Sequence, residues 1–333
     1  MKTLLKLVIF LTISTSAFVF FSCKQDSPVE SGSGSGQDYF TWSIVDSTII
    51  PNDMYVADAA NLFIGGYKNY KITDGVKTEL IDPDFTATSV KGYDKNYVVF
   101  FGYNSVGPKF KIYNSGSITN YVVPNYTEEH NAVVIEPGKF IYQSIGGFSV
   151  FQDGVTDAYS FPYATHIKGF SHSNNTIYIF ESDRTDTIRV NKFEDNHIIH
   201  IGNYAVQGEF LNLENEAAIL KRAYTGSQLY STLYSFTGSS WDVVFSVAYP
   251  NVVTFSQLSG YSKNFIIGSL DVGTQDVYPV QVWNGMSMNN EKGYPIKDNY
   301  IFPTLSNYKD NTIYAYSSYN GRGNLLKGQR TRF

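Results

Sequence analysis

Six times along the chain an apolar residue runs into a Gly or Asn turn: Ile72-Thr-Asp-Gly75, Tyr113-Asn-Ser-Gly116, Phe151-Gln-Asp-Gly154, Phe193-Glu-Asp-Asn196, Phe236-Thr-Gly238 and Trp283-Asn-Gly285. The leading residues are 41, 38, 42, 43 and 47 apart. Self-similarity at that period marks small supersecondary units that bury their apolar faces only against each other. A second pattern precedes the hairpins, in Val90-Lys-Gly-Tyr-Asp-Lys-Asn96, Ile167-Lys-Gly-Phe-Ser-His-Ser-Asn-Asn175, Leu258-Ser-Gly-Tyr-Ser-Lys-Asn264 and Leu305-Ser-Asn-Tyr-Lys-Asp-Asn311. Each leads into an apolar strand: Tyr97 to Phe101, Thr176 to Phe180, Phe265 to Gly268 and Thr312 to Tyr316, with weaker counterparts at Asn61 to Ile64 and Phe140 to Tyr142. One unit therefore reads as inner strand, polar turn, apolar strand, variable loop, third strand, Gly turn, outer strand. The continuous apolar second strand suits a position between two layers, and alternation in Leu229-Tyr-Ser-Thr-Leu-Tyr-Ser-Phe236 suits a sheet with a wetter side.

Four antiparallel strands in about 42 residues is the size of a β-propeller blade. The two ends of the chain supply one more. Trp42 to Pro51-Asn52 repeats the spacing of Trp241 to Pro250-Asn251, the outer strand of the fifth unit, so residues 39 to 50 are predicted as an outer strand. At the other end Asn311 opens a seventh second strand, and Phe333 falls where a third strand ends. The first strand then completes the last blade, which removes two exposed sheet edges. The expected fold is all-β, a seven-bladed propeller over residues 39–333, with six or eight blades open if one unit is miscounted. Aromatic side chains, 27 Tyr and 24 Phe, fit this reading, because they favour half-buried pleated surfaces. No stretch of the mature chain shows an apolar period of 3.6 with helix caps.

The N-terminus carries a different signal. Met1-Lys-Thr-Leu-Leu-Lys6 is basic, Leu7 to Phe21 is apolar, and Phe20-Phe-Ser-Cys23 follows. These are the parts of a secretory signal, too short to span a bilayer as a mature helix. Phe20-Phe-Ser-Cys23 resembles the lipobox of bacterial lipoproteins, which implies that residues 1–22 are removed and Cys23 is acylated. Cys23 is the only cysteine. Its acylation leaves no thiol for a disulfide, a zinc site or a nucleophile. Residues 23–38, with Ser31-Gly-Ser-Gly-Ser-Gly36, read as a flexible tether. Lys24-Gln-Asp26 is similar to the charged stretch of Bacteroidota surface lipoproteins. The expected address is the outer membrane, on its cell-surface or periplasmic side.

Charge narrows the partners. The whole chain balances at −5, and loss of Lys2 and Lys6 with the signal takes it to −7, with no basic stripe to offset it. Nucleic acid is excluded as a partner on that ground. The repeat pattern resembles β-propellers of the loosely related kind found in Bacteroidota lipoproteins, and the resemblance covers residues 39–333. It implies an architecture and no catalytic residues. The Gly-His and Trp-Asp signature of WD40 blades and the Ser-x-Asp-x-Gly-x-Thr-Trp box of sialidases are both missing from the sequence.

Propeller strands alternate in direction, so the repeating turns share one face and the variable loops share the other. The variable loops include 102–109, 181–186, 221–227, 271–278 and 317–323, and binding residues concentrate on such loops held by a rigid scaffold. Candidate residues there are Glu128, Glu129 and His130, on a blade crossing near the channel, where a carboxylate beside an imidazole suits acid-base or cation chemistry. Asp183 with Arg184 and Tyr319 with Arg322 suit a polar or saccharide ligand through stacking and forked hydrogen bonds. His197 and His200 are an odd number of residues apart in a strand and so face opposite ways. His166 and His172 are expected to make structural hydrogen bonds. No catalytic residue, metal site or cofactor is assigned. The preferred function is a membrane-anchored, non-enzymatic binding or scaffold protein that recognises a glycan, peptide or partner protein. The alternative is a glycosidase or lyase with acids converging on the channel from different blades.

Overall fold

The computed structural model describes residues 29–30, 39–80, 84–122, 131–161, 166–173, 175–182, 187–213, 216–250, 253–272, 279–295, 303–319 and 322–331. They form seven sheets arranged as seven consecutive blades, each with four antiparallel strands. Blade 1 is Asp53–Val56, Asn61–Gly65, Tyr70–Thr73 and Val76–Glu79. Blade 4 is His166–Ser173, Thr176–Ser182, Ile188–Glu194 and His197–Tyr204. Blade 5 is Glu209–Asn212, Ala217–Thr225, Gln228–Phe236 and Trp241–Pro250.

Turn chemistry sets the hairpins. Asp74-Gly75, Ser115-Gly116, Asp153-Gly154 and Asp195-Asn196 have positive φ at both central residues, the left-handed pair of a type I′ turn. Its twist matches that of the flanking strands, which is why short polar residues and Gly recur there. Burial then follows strand position. Asn61–Gly65 is buried throughout, while Val76–Glu79, at the blade rim, is exposed throughout.

Seven apolar clusters hold the ring, and each joins two neighbouring blades. Ile49, Met54 and Leu62 meet Tyr314, Tyr316 and Leu325 at the seam of blades 7 and 1. The seam of blades 2 and 3 is rich in aromatic rings, packed around Phe110, Phe140 and Phe151 with Val99, Ile112 and Val134 beside them. Polar ties cross the seams as well. Asp53 of blade 1 accepts hydrogen bonds from the Ser89 hydroxyl, the Val90 N–H and Lys91 Nζ of blade 2. Lys327 Nζ of blade 7 donates to the Ala59 carbonyl of blade 1.

Closure occurs as the ends of the sequence indicated. Phe40–Asp46 pairs antiparallel with Arg322–Arg330, Phe40 opposite Arg330 and Trp42 opposite Gly328. The strand is shorter than the predicted 39 to 50. Asp46 Oδ1 accepts from the Thr48 N–H, the Thr48 hydroxyl and the Ile49 N–H, and that turn ends the strand. Val29–Glu30, inside the span read as tether, pairs in parallel with Val247 and Ala248 on the rim of blade 5.

Asp46 also receives Lys77 Nζ of blade 1 at 2.8 Å. Burial pushes its pKa up, but hydrogen bonds from Lys77 and Thr48 outweigh this and hold it down to about 2. A carboxylate with a depressed folded pKa adds stability above its unfolded pKa and loses it as pH falls through the folded one. Asp46→Asn should therefore cost about 1 kcal/mol at pH 7, after discounting for solvent screening, and the cost should fade between about pH 4 and 2. Urea unfolding of both proteins across that range measures it.

Two local readings shift. Ile167-Lys-Gly-Phe170 is not the register equivalent of Val90-Lys-Gly-Tyr93. Gly92 pairs with Val98, the second residue of its second strand, whereas Gly169 pairs with Phe180, the fifth. A four-residue likeness carries no register information when the turns that follow differ in length. The described residues of the segments read as loops at 102–109, 221–227 and 317–323 are instead mostly strand continuations. Two-residue turns join the first two, with Asn104 opposite Gly107 and Thr225 opposite Gln228, and in blade 7 Tyr319 pairs opposite Arg322.

Candidate functional site

Inner strands run from the variable face to the face of repeating turns, so their last residues converge around the axis on the repeating-turn side. There a cavity of about 230 Å³ is lined by every blade, among them Tyr55, Lys91, Val134, His172, Leu213, Ser259 and Tyr308. Lys91 is neutralised by Asp53 at 3.0 Å. Burial pulls the His172 pKa below the ordinary histidine value, with Glu136 opposing it, so the ring is neutral at neutral pH. His172 makes no hydrogen bond among the described residues, against the expectation of a structural one. Lys309 also lines this space. The described lining offers amine, hydroxyl and imidazole groups and no carboxylate pair, the arrangement that glycoside hydrolysis requires.

The variable face is built differently. Every hairpin between second and third strands whose turn lies within the described residues carries a large apolar side chain in solvent, in the turn or, in blade 5, just before it. Tyr67 of blade 1 is 73% exposed, Val106 of blade 2 81%, Ile145 of blade 3 70% and Tyr224 of blade 5 70%. Tyr103 and Ile50 add to the same face. Single exposed apolar residues are ordinary, but one at each of the four described hairpin ends, on blades 1, 2, 3 and 5, forms a crown. No local sequence signal reveals it, because strand alternation assigns these residues no side once the hairpin leaves the ring.

Between blades 4 and 5 this face opens into a groove of about 360 Å³. Lys168, Lys221 and Arg222 line it against a single acid, Glu209, which pairs with Arg222 at 2.9 Å. Arg222 also donates to the Phe255 carbonyl and Thr254 hydroxyl of blade 6. Lys168 and Lys221 are exposed and have no ion-pair partner among the described residues.

Several sequence candidates lie outside the described residues: Cys23, Glu128, Glu129, His130, Asp183 and Arg184. Ser182 and Thr187, which flank residues 183–186 in the sequence, line the groove. Tyr319 and Arg322 are backbone partners across the blade 7 hairpin, on the variable face. His197 approaches the Asp195 carbonyl and His200 the Asn191 side chain, so the structure brings the two histidines to separate partners. No group of three His, Cys, Asp or Glu that suits a metal ion occurs among the described residues.

No protein family profile matches the chain, and no curated protein does. Solved structures do. YCF48 bound to D1 peptide superposes with a TM-score of 0.55 at 12% identity, over 89% of this chain and 98% of that one. BamB from Moraxella catarrhalis gives 0.52 at 14% identity, over 88% and 99%. Kluyveromyces lactis Hsv2 gives 0.51 at 11% identity, over 86% and 99%. Likeness at such identities is one of fold. The chain is a β-propeller, and its function has to be argued from its own surface.

Proposed function

We propose that this protein is a membrane-anchored recognition propeller, without a catalytic step, that docks a partner protein on its variable face. The observation that carries the reading is the crown of Tyr67, Val106, Ile145 and Tyr224, set on separate blades of a rigid ring. Apolar and aromatic side chains spaced around a rim fit a protein surface, where Tyr anchors and aliphatic contacts supply most binding energy. A glycan would call for a concentrated aromatic platform with polar groups beside it. Peptide binding has a counterpart in the fold, since YCF48 is bound to a peptide. In the same reading Cys23 is lipidated, residues 1–22 are removed, and the chain sits on the outer membrane, with residues 23–28 ahead of the Val29–Glu30 pairing allowing a reach of about 20 Å.

Photo-crosslinking in intact cells tests the face. Benzoylphenylalanine placed at 67, 106, 145 or 224 should give discrete protein adducts, and at Tyr93 or Met286 on the repeating-turn face it should give none. Adducts from the repeating-turn face alone, or none at all, refute the reading. Cys23→Ser should move the protein from the membrane to the soluble fraction and end palmitate incorporation. Retention on the membrane with that change would remove the anchor from the proposal.

A further inference from the structure

We propose that the blade 5 hairpin accepts an extended acidic segment of a partner protein as an added β-strand along Lys221–Thr225. This rests on the variable face being the recognition face and names what that face takes.

The inner strand of blade 5 is short. Its first residue, Glu209, is opposite Leu220, yet the second strand continues to Thr225, with the third strand as its partner throughout. From Lys221 outward the inner edge has no strand neighbour among the described residues. The direction of its backbone groups follows from register. The Leu213 N–H bonds the Glu216 carbonyl across the blade 5 inner turn, so alternation directs the N–H and C=O of residues 216, 218 and 220 toward the inner strand. Continued outward, the same phase aims the backbone groups of Arg222 and Tyr224 at the unpaired side. Such an edge invites strand addition unless Pro, a bulge or a covering element blocks it, and Lys221-Arg-Ala-Tyr-Thr225 contains no Pro.

Charge selects the occupant. Lys221 stands on this strand and Lys168 across the groove, both exposed and unpaired among the described residues, in a chain whose net charge is −5. Lys168 is anomalous within the ring. It is the extra residue of a bulge in the inner strand of blade 4, at the register where blades 2 and 6 bulge at Thr88 and Ser256. Those two hydroxyls bond inward, to the carbonyls of Phe101 and Ser269. Blade 4 places a cation there and leaves it in solvent. Bulges re-aim a side chain, and this one aims an ammonium into the groove beside the free edge. Main-chain bonds to Arg222 and Tyr224 would supply affinity, and acidic side chains set against Lys168 and Lys221 would supply selectivity.

The test uses a phage library of random 12-residue peptides panned on the chain from Cys23 to Phe333. Enriched peptides should be rich in Asp and Glu, and one synthesised as a free peptide should slow amide exchange at Arg222 and Tyr224. Tyr224→Pro removes an outward N–H without touching the hairpin ladder, and should weaken that peptide by about tenfold or more. Tyr224→Val keeps the N–H and should hold affinity within about threefold. Lys168→Glu with Lys221→Glu should weaken it by about tenfold or more and reduce its salt dependence, whatever Tyr224→Pro does to folding. No enriched peptide, enrichment without acidic bias, or binding unchanged by Tyr224→Pro overturns the proposal. Crosslinks from positions 67, 106 and 145 that persist in the Tyr224→Pro protein show that the face reading survives the loss of this edge.

Discussion

A chain beginning at Ser47 should fail to fold cooperatively, while one beginning at Gln37 should melt within a few degrees of the chain from Cys23. The difference between them is the strand Phe40–Asp46, which supplies the outer edge of blade 7. Phe40 is buried and contacts Trp42, Phe265 and Tyr308, so the strand also fills the seam between blades 6 and 7. Burying Tyr39 and Phe40 contributes about 1.5 to 3 kcal/mol each, before the ladder of hydrogen bonds is counted. That approaches the whole net stability of a domain, about 5 to 15 kcal/mol. Entry of the strand depends on Glu291, fully buried, whose carboxylate accepts the Tyr39 N–H at 2.8 Å and the Gly293 N–H at 2.9 Å. Phe40→Ala should cost about 3 to 5 kcal/mol. Glu291→Leu should cost about 2 kcal/mol, because the buried Tyr39 N–H and the half-buried Gly293 N–H lose their acceptor. Urea unfolding followed by tyrosine and tryptophan fluorescence gives both values. A two-state melt of the chain from Ser47, at a temperature close to that of the longer chain, would show that the ring does not depend on this closure.

The closure was legible because it is written in spacing. Trp-to-Pro-Asn occurs twice at the same interval, and a strand that completes a distant blade must repeat the pattern of the strand it imitates. The blade count was legible for a related reason. Type I′ turns demand left-handed residues, so Asp-Gly and its variants recur where the third strand meets the fourth in blades 1 to 4, and a left-handed Gly, Gly238 or Gly285, marks the longer turns of blades 5 and 6. Asp195-Asn196 shows the limit of that demand, Asn taking the left-handed position that Gly holds in blades 1, 2 and 3.

The candidate surface was only half legible. Its side of the ring followed from strand direction, but its content did not. Lys221-Arg-Ala-Tyr-Thr-Gly-Ser227 reads as a loop, since nothing local says that Thr225 will pair with Gln228 and carry Tyr224 clear of the ring. The tie from Asp53 to Lys91 is a product of packing between consecutive blades, and the cavity that gathers His172, Tyr55 and Tyr308 is a product of closure; both join residues with no neighbourhood in the sequence. Paired motifs such as Tyr319 and Arg322 are visible because they are close in sequence, and that visibility is no measure of what the ring brings together.

Phe140→Ala should be the most costly single truncation in the aromatic seam of blades 2 and 3, at about 4 to 5 kcal/mol. Phe140 has no exposed surface and stacks on Phe151 at 4.7 Å, with Phe110 edge-on at 5.1 Å and Phe101 edge-on at 5.7 Å. Removing the ring therefore loses transfer energy, leaves a cavity bounded by rigid neighbours, and cancels these pairs and a fourth with Tyr142, each worth about 0.5 to 1.5 kcal/mol beyond area. Phe140→Leu refills most of the volume and should recover more than half the loss. Tyr67→Ser, on the crown, should change stability by about 0.5 kcal/mol or less, since its side chain stands in solvent. The contrast separates fold from recognition: the first substitution should weaken crosslinking at all four crown positions in proportion to the unfolded fraction, the second only at its own blade. Blades couple mainly to their neighbours, but a closed ring cannot open one seam without straining the rest. Hydrogen exchange of Phe140→Ala should then show loss of protection in every blade, and loss confined to blades 2 and 3 would mean that the seams melt independently.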